Sequence, residues 1–404
     1  MTRLKPKRFN YICNNSVTKA MDTPFPYDKF VTGKNFIGRK SECTVLSNLI
    51  AQHAHVALYE PPKTGKTSLV QQAMHSTRFS QRANIVGQFS VLNIRTIEGF
   101  LTRYGSTVIR MVASAPTEYG AVVEQYLGGT HFIFDPEAFA DQDAILSLNW
   151  DLDEEDVKAV LRLPFRIAAD RGTPLLLIID EFQNVLETED GDRILRPLDA
   201  IIREEAELGH RDFSFIFCGS MVNAMKEIFE GSRLFHRHVT RVRLSPVDER
   251  EIADHVVRGF LSGGKVLDKD LLIGACRLFK NNLWYINHFA SICDSMSKGY
   301  IMEPVLVDAL GSLLSVHEPR FRTMVSGLTT HQVNLLRATV EGNIRFSASE
   351  VIRKYGLNSS ANVKRVKDAL MKKEILTFDE EDKPEFLDPL FEYWIKRYFF
   401  ELPE

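Results

Sequence analysis

The chain has 404 residues, 44% hydrophobic and 25% charged, with 50 Lys and Arg against 53 Asp and Glu for a formal net charge of −3. That length suffices for the cores of two or three domains, and the balance excludes a disordered chain and a globally basic nucleic-acid binder. No uninterrupted apolar run nears the ~20 residues of a spanning helix, and Lys5, Lys7 and Arg8 precede no apolar stretch of the kind a secretory signal carries.

Cys13, Cys43, Cys218, Cys276 and Cys293 show neither paired nor metal-ligand spacing, which fits reduced thiols in a cytoplasm. Residues 1–20 are either a loose tail or sequence upstream of a start at Met21.

In chain order, the first informative element is an apolar strand, Val56-Ala57-Leu58-Tyr59, emptying into Glu60-Pro61-Pro62-Lys63-Thr64-Gly65-Lys66-Thr67-Ser68. This is the pattern of a phosphate-binding loop. Gly65 lets the backbone close around phosphate oxygens so that N–H groups from Lys63 to Thr67 point inward, with Pro62 and Ser68 flanking the cradle. Lys66 is placed to reach the β- and γ-phosphates of ATP, and Thr67 to offer its hydroxyl to Mg²⁺. Glu60 stands where GxxxxGK[ST] has its first glycine, so the mouth of the loop departs from the pattern. A Glu held there at positive φ costs roughly 1–2 kcal/mol. The competing reading is a chance GKT in a surface loop.

A strand over 84–89 follows, then helices over 96–112, 135–148 and 153–169. The last opens on Asp153-Glu154-Glu155-Asp156, a solvated helix start rather than a metal cluster. Leu175 to Ile179 is an apolar run without alternation, as in a central parallel strand covered on both faces, and it ends in Asp180-Glu181. Ligands bind beyond the carboxyl ends of such strands, so Asp180 is a candidate Mg²⁺ ligand and Glu181 a candidate base for an attacking water. The run 213–220 predicts a neighbouring strand whose tip sets Ser220 either near the γ-phosphate or at the N-cap of a helix over 221–229. Arg233 and Arg237 precede a strand over 239–244. Either a solvated basic turn or an arginine acting on the γ-phosphate, in cis or from a neighbouring subunit, accounts for them.

Ser245-Pro246 opens an all-helical lid, with helices over 249–260, 268–279, 283–296 and 303–315, and Pro319 with 327–329 marks the next boundary. From 328 onward the pattern is a winged helix-turn-helix: helices over 331–340, 347–354 (opened by a Ser347 to Glu350 capping box) and 359–373, then a hairpin over 375–378 and 385–387. Lys364, Arg365 and Lys367 on the third helix are candidate contacts to duplex DNA, whereas Asp379 to Asp382 at the wing tip would meet phosphate with like charge. A protein-docking role is the alternative.

Phe36-Ile37-Gly38-Arg39-Lys40-Ser41-Glu42, about twenty residues before the loop, resembles the FxGRxxE box of archaeal-type P-loop ATPases, the STAND and Orc/Cdc6-like AAA+ modules. The order of the later motifs matches. The resemblance covers about residues 30–400. It implies an ASCE/AAA+-like P-loop NTPase, an α/β core with a helix-sandwiched parallel sheet of order 5-1-4-3-2, followed by an all-α lid and a winged helix. The expected division is 1–32 tail, 33–246 ATPase core, 247–326 lid and 327–404 winged helix. It also implies that Phe36, Ile37, Gly38 and Arg39 border the adenine. His236 replaces the glycine of the family's arginine motif, and Asn281-Asn282-Leu283 replaces the Gly-x-Pro of its lid, removing a rigid turn. The resulting expectation is a cytoplasmic Mg²⁺-ATP-dependent switch with slow hydrolysis, free to form homo-oligomers or bind a protein partner. A DNA-binding regulator or loader and an ATP-binding scaffold without turnover are the alternatives.

Overall fold

A computed structural model describes residues 24–77, 84–231 and 234–403. Five parallel strands form the central sheet: β1 (His55–Tyr59), β2 (Ile85–Ser90), β3 (Leu175–Asp180), β4 (Phe213–Gly219) and β5 (Val239–Val242). They lie in the order β2-β3-β4-β1-β5, the reverse reading of 5-1-4-3-2. Strand alternation divides β1 between two cores. Val56 and Leu58 join Leu46, Ile50, Leu69 and Val70 of the helices Lys40–Ala51 and Lys66–Thr77 on one face. Ala57 and Tyr59 join the other face, under Ile97–Val112, Glu154–Arg171 and Asp192–Glu207.

The region between β2 and β3 departs from expectation. Pro116–Leu127 is a helix that no strong periodicity announced. The helix expected over 135–148 is only Pro136–Gln142, stopped by Asp143 in a left-handed conformation, after which Ser147–Leu148 pairs antiparallel with Phe132–Ile133. The acidic run does cap a helix. The Asp153 carboxylate accepts the Asp156 N–H while Asp156 accepts the Asp153 N–H, and His131 shares Asp156.

Pro319 does not break the chain. The helix Glu303–Ser326 runs through it and ends at Gly327. One missing N–H and a ring clash cost about 3 kcal/mol, and burial of Phe321 and Val325 in the third core offsets this. That core is continuous through the lid helices Glu249–Ser262, Lys269–Leu278 and Leu283–Met296 and the C-terminal helices and hairpin. The winged helix comprises Thr330–Val340, Ser349–Tyr355 and Ser360–Lys372, with wing strands Leu376–Phe378 and Pro384–Phe386. Its capping box is at Thr329 with Gln332, not at Ser347. Ala348 occupies the second helix's N-cap without a side-chain bond. No helix among the described residues is long and apolar enough to cross a membrane.

Candidate functional site

The loop after β1 closes without its first glycine because the strained positions lie elsewhere. Lys63 (φ 67°) and Gly65 (φ 91°) take the left-handed conformations, and Glu60 is not among the positive-φ residues. The anticipated strain at Glu60 is therefore absent. Its carboxylate accepts the Leu244 N–H at 3.1 Å, fastening the exit of β1 to the chain after β5. Burial pushes that carboxyl above its ordinary pKa. Within the loop, Thr64 Oγ1 donates to the Pro61 carbonyl at 2.8 Å, and Lys66 Nζ donates to the carbonyls of Glu60 and Pro61 at 2.8 and 3.0 Å.

Two strands away, Asp180 and Glu181 leave the C-terminal end of β3. Burial lowers the Lys66 pKa, and the charges of Glu181 and Asp180 oppose that shift, so the ammonium and the two carboxylates share one electrostatic neighbourhood. Burial first, then Glu181, raises the Asp180 pKa. Two neighbouring carboxylates offer hard oxygen donors of the kind that suits Mg²⁺, and Thr67, the other candidate ligand, is exposed. Glu181 adopts a left-handed backbone (φ 52°), and its carboxylate accepts hydrogen bonds from Ser220 Oγ at 2.7 Å and Gln183 Nε2 at 2.5 Å. Ser220 is thus a partner of Glu181. It is not the N-cap of the following helix, a position held by Met221 without a side-chain bond.

The segment before the helix Lys40–Ala51 lies against the loop. Phe36 packs on the sheet-face core and its neighbour Ile37 on the lid core, so the box straddles the two bodies. Gly38 combines φ +65° with an approach that would put a Cβ 2.6 Å from Val247 Cγ1. Arg39, also left-handed, donates from Nη1 to the Thr64 carbonyl. Ser68 turns to the same segment, its hydroxyl accepting the Val31 N–H at 3.1 Å, while Pro62 is exposed.

Arg237 is exposed and left-handed (φ 70°), two residues before β5. Register places it far from the loop, because Val239 pairs with His55 at the start of β1 and the loop begins after Tyr59. At ~3.3 Å per residue, the strand alone separates them by roughly 13 Å. Arg237 therefore does not lie beside the loop of its own chain in this structure. Arg233 lies outside the described residues.

Sequence reading missed two contacts. Lys63 Nζ lies 3.6 Å from the centre of the Trp284 ring in the lid. The Gly-x-Pro turn thought lost is rebuilt with other residues: Lys280 and Asn281 both take positive φ, Asn281 Nδ2 donates to the Val247 carbonyl at 3.0 Å, and Asn282 caps the Trp284 and Tyr285 N–H groups. The N-cap type of Asn282 was the available signal. The second contact joins the winged helix to the core. The Glu374 carboxylate accepts the N–H groups of Asn223 and Ala224 at 2.8 and 3.0 Å, capping the helix Val222–Lys226 that begins just beyond Ser220. Asn223 Nδ2 donates to the carbonyls of Met371 and Leu376, and Lys226 Nζ to Thr377 Oγ1 and the Phe378 carbonyl. A cavity of about 830 Å³ adjoins this contact, lined in part by Gln183, Met221, Asp368 and Lys372.

Of the candidate DNA contacts, Lys364 and Arg365 are exposed. Lys367 is paired with Asp382 of the wing and stacked 4.1 Å from the Phe378 ring centre, so it is not available as expected.

Residues 319–397 match a family described as a probable winged helix domain. No curated protein matches the chain. Among solved structures, the chain is similar to a Walker-type ATPase of Pyrococcus abyssi, with TM-score 0.60 and 15% identity over 92% of this chain and 99% of that one. It is also similar to the Orc2 protein of Aeropyrum pernix in its ADPNP–ADP complexes, with TM-score 0.51 and 13% identity over 89% and 93%. With the loop, the acidic strand end and the sheet order in place, the fold is that of archaeal Walker-type and Orc-like P-loop ATPases, an α/β core continued by a helical lid and a C-terminal winged helix.

Proposed function

We propose that the chain is a Mg²⁺-ATP-binding P-loop ATPase of slow turnover, acting as a nucleotide-dependent switch that sets the position of its lid (247–326) and winged helix (327–404) against the core (33–246). The observation that carries this reading is the short path from Glu181 through Ser220 to the helix Val222–Lys226, whose first turn is capped by Glu374 of the winged helix. Rearrangement of Glu181 around a γ-phosphate is transmitted to that cap through two adjacent segments.

In this reading the loop amides and Lys66 hold the phosphates, and Arg39, anchored to the Thr64 carbonyl, braces the loop. Thr67 and Asp180 hold Mg²⁺, which neutralises phosphate charge. Glu181, once freed from Ser220 and Gln183, orients the attacking water. Phe36, Ile37 and Gly38 border the base. Arg237 acts only on the site of a neighbouring copy, which makes a homo-oligomer the active form where it operates. The fold shared with a Walker-type ATPase and with a protein seen in ADPNP–ADP complexes supports the nucleotide.

Lys66→Ala is expected to abolish ATP binding by calorimetry, and Glu181→Gln to keep binding while phosphate release falls at least a hundredfold. Undiminished release in the glutamine variant overturns the role of Glu181, whereas wild-type protein that binds ATP and releases no phosphate is a scaffold without turnover. Duplex-DNA contact is a second reading, favoured by the exposed Lys364 and Arg365 and weakened by the Lys367 to Asp382 pair. It requires affinity that falls steeply with salt and is lost when both exposed residues become alanine.

A further inference from the structure

Trp284 opens the lid helix Leu283–Met296 at a position fixed by the Asn282 cap. Four rings immobilise its indole: Tyr27 at 5.8 Å and 89°, Tyr285 at 5.0 Å and 89°, His288 at 5.2 Å and His317 at 5.8 Å. Its remaining face receives the Lys63 ammonium at 3.6 Å, with the Tyr285 ring also within 5.6 Å of it. Lys63 belongs to the phosphate loop and has a left-handed backbone. One side chain thus bridges the cradle and the lid.

We propose that Trp284 is a positioning residue for the phosphate loop, its indole face competing with a bound polyphosphate for the Lys63 ammonium so that loop occupancy and lid position are coupled. The proposal rests on the nucleotide reading above. A ring quadrupole attracts a cation more weakly than phosphate oxygens do through charge-assisted hydrogen bonds, so a polyphosphate draws Lys63 off the ring. The lid then loses one of its ties to the loop. Partial burial, then the charge of Arg320, lowers the Lys63 pKa to about 8, consistent with an ammonium that gains from an anionic partner.

The test is a double-mutant cycle on ATP affinity, measured by calorimetry on the full chain. Trp284→Ala is expected to tighten ATP about three- to thirtyfold by removing the competitor. Trp284→Phe should fall between it and the wild type. Lys63→Met should weaken binding, and adding Trp284→Ala to it should change affinity less than twofold. Weaker binding by Trp284→Ala, or the same tightening in the Lys63→Met background, overturns the proposal. Should the alanine variant not fold, the phenylalanine variant decides by the same cycle. In folded wild-type protein, ATP should also change tryptophan emission, and that change should vanish in Trp284→Phe and in Lys63→Met. Its persistence in Lys63→Met counts against the coupling. A wild-type chain that binds no ATP removes the nucleotide reading and this inference together, whereas binding with additive effects removes only the inference.

Discussion

At Gly38 two constraints coincide, a positive φ and the close approach of Val247. A side chain there meets backbone strain of about 1–2 kcal/mol and a packing clash typically worth 1–3 kcal/mol. Gly38→Ala should therefore destabilise the chain by roughly 2–5 kcal/mol in chemical denaturation, the sum of those two costs. Glu60 shows the opposite outcome. Its departure from the loop pattern suggested strain, yet the left-handed position falls on Lys63 and the carboxylate is used on Leu244. A motif read position by position assigns each residue its usual backbone role, and three-dimensional closure can move that role along the chain.

At the scale of elements, the helix Val222–Lys226 has five residues and no cap of its own. Glu374 supplies one from about 150 residues away. It does so from a locally unfavourable place, a left-handed residue (φ 51°) after the C-cap Lys373, where glycine is usual and an acid opposes the helix dipole. Such a violation of local rules marks a tertiary role. Glu374→Ala should remove a cap worth about 0.5–2 kcal/mol and raise hydrogen exchange at Asn223 and Ala224, while Glu374→Gln, which keeps an acceptor, should raise it less. Burial pushes the Glu374 pKa up to about 7. A carboxyl whose pKa is higher when docked favours docking most when protonated, so docking should loosen as pH rises from about 6 to 8 through that value. Lys226 faces Glu374 from the core and favours the charged form, while Glu227 and Glu230 from the core and Asp368 and Lys372 from the third helix line the same cavity. Protease sensitivity of the 371–378 segment across that pH range is the measurement, and equal sensitivity at both ends would count against the linkage.

Across the whole molecule, the lid and winged helix form one core around Phe321, Phe391 and Trp394, separate from the two cores of the sheet. Phe391→Ala should cost about 3–5 kcal/mol and destabilise both C-terminal parts in one transition, seen in hydrogen exchange of Leu283–Met296 as well as Pro389–Trp394. Exchange confined to Pro389–Trp394 would show that the shared core is not cooperative.

Sequence alone was sufficient for features written in contiguous residues. Apolar runs gave the sheet strands, the GKT segment gave the loop, and cap residues with helical periodicity gave most of the lid and winged helix, because these signals arise from interactions a few residues apart. The short region 116–148 was poorly legible because its helix packs mainly on the helices Ile97–Val112 and Glu154–Arg171 and on its own two-residue strands, contacts that leave little local signal. Only tertiary structure decided that Arg237 stands at the opposite end of the sheet strands from the loop, that Ser220 binds Glu181, that Lys63 meets Trp284, and that Glu374 caps a distant helix. Each depends on strand register or on contacts between residues about 40 to 220 positions apart, distances over which local propensity carries no information.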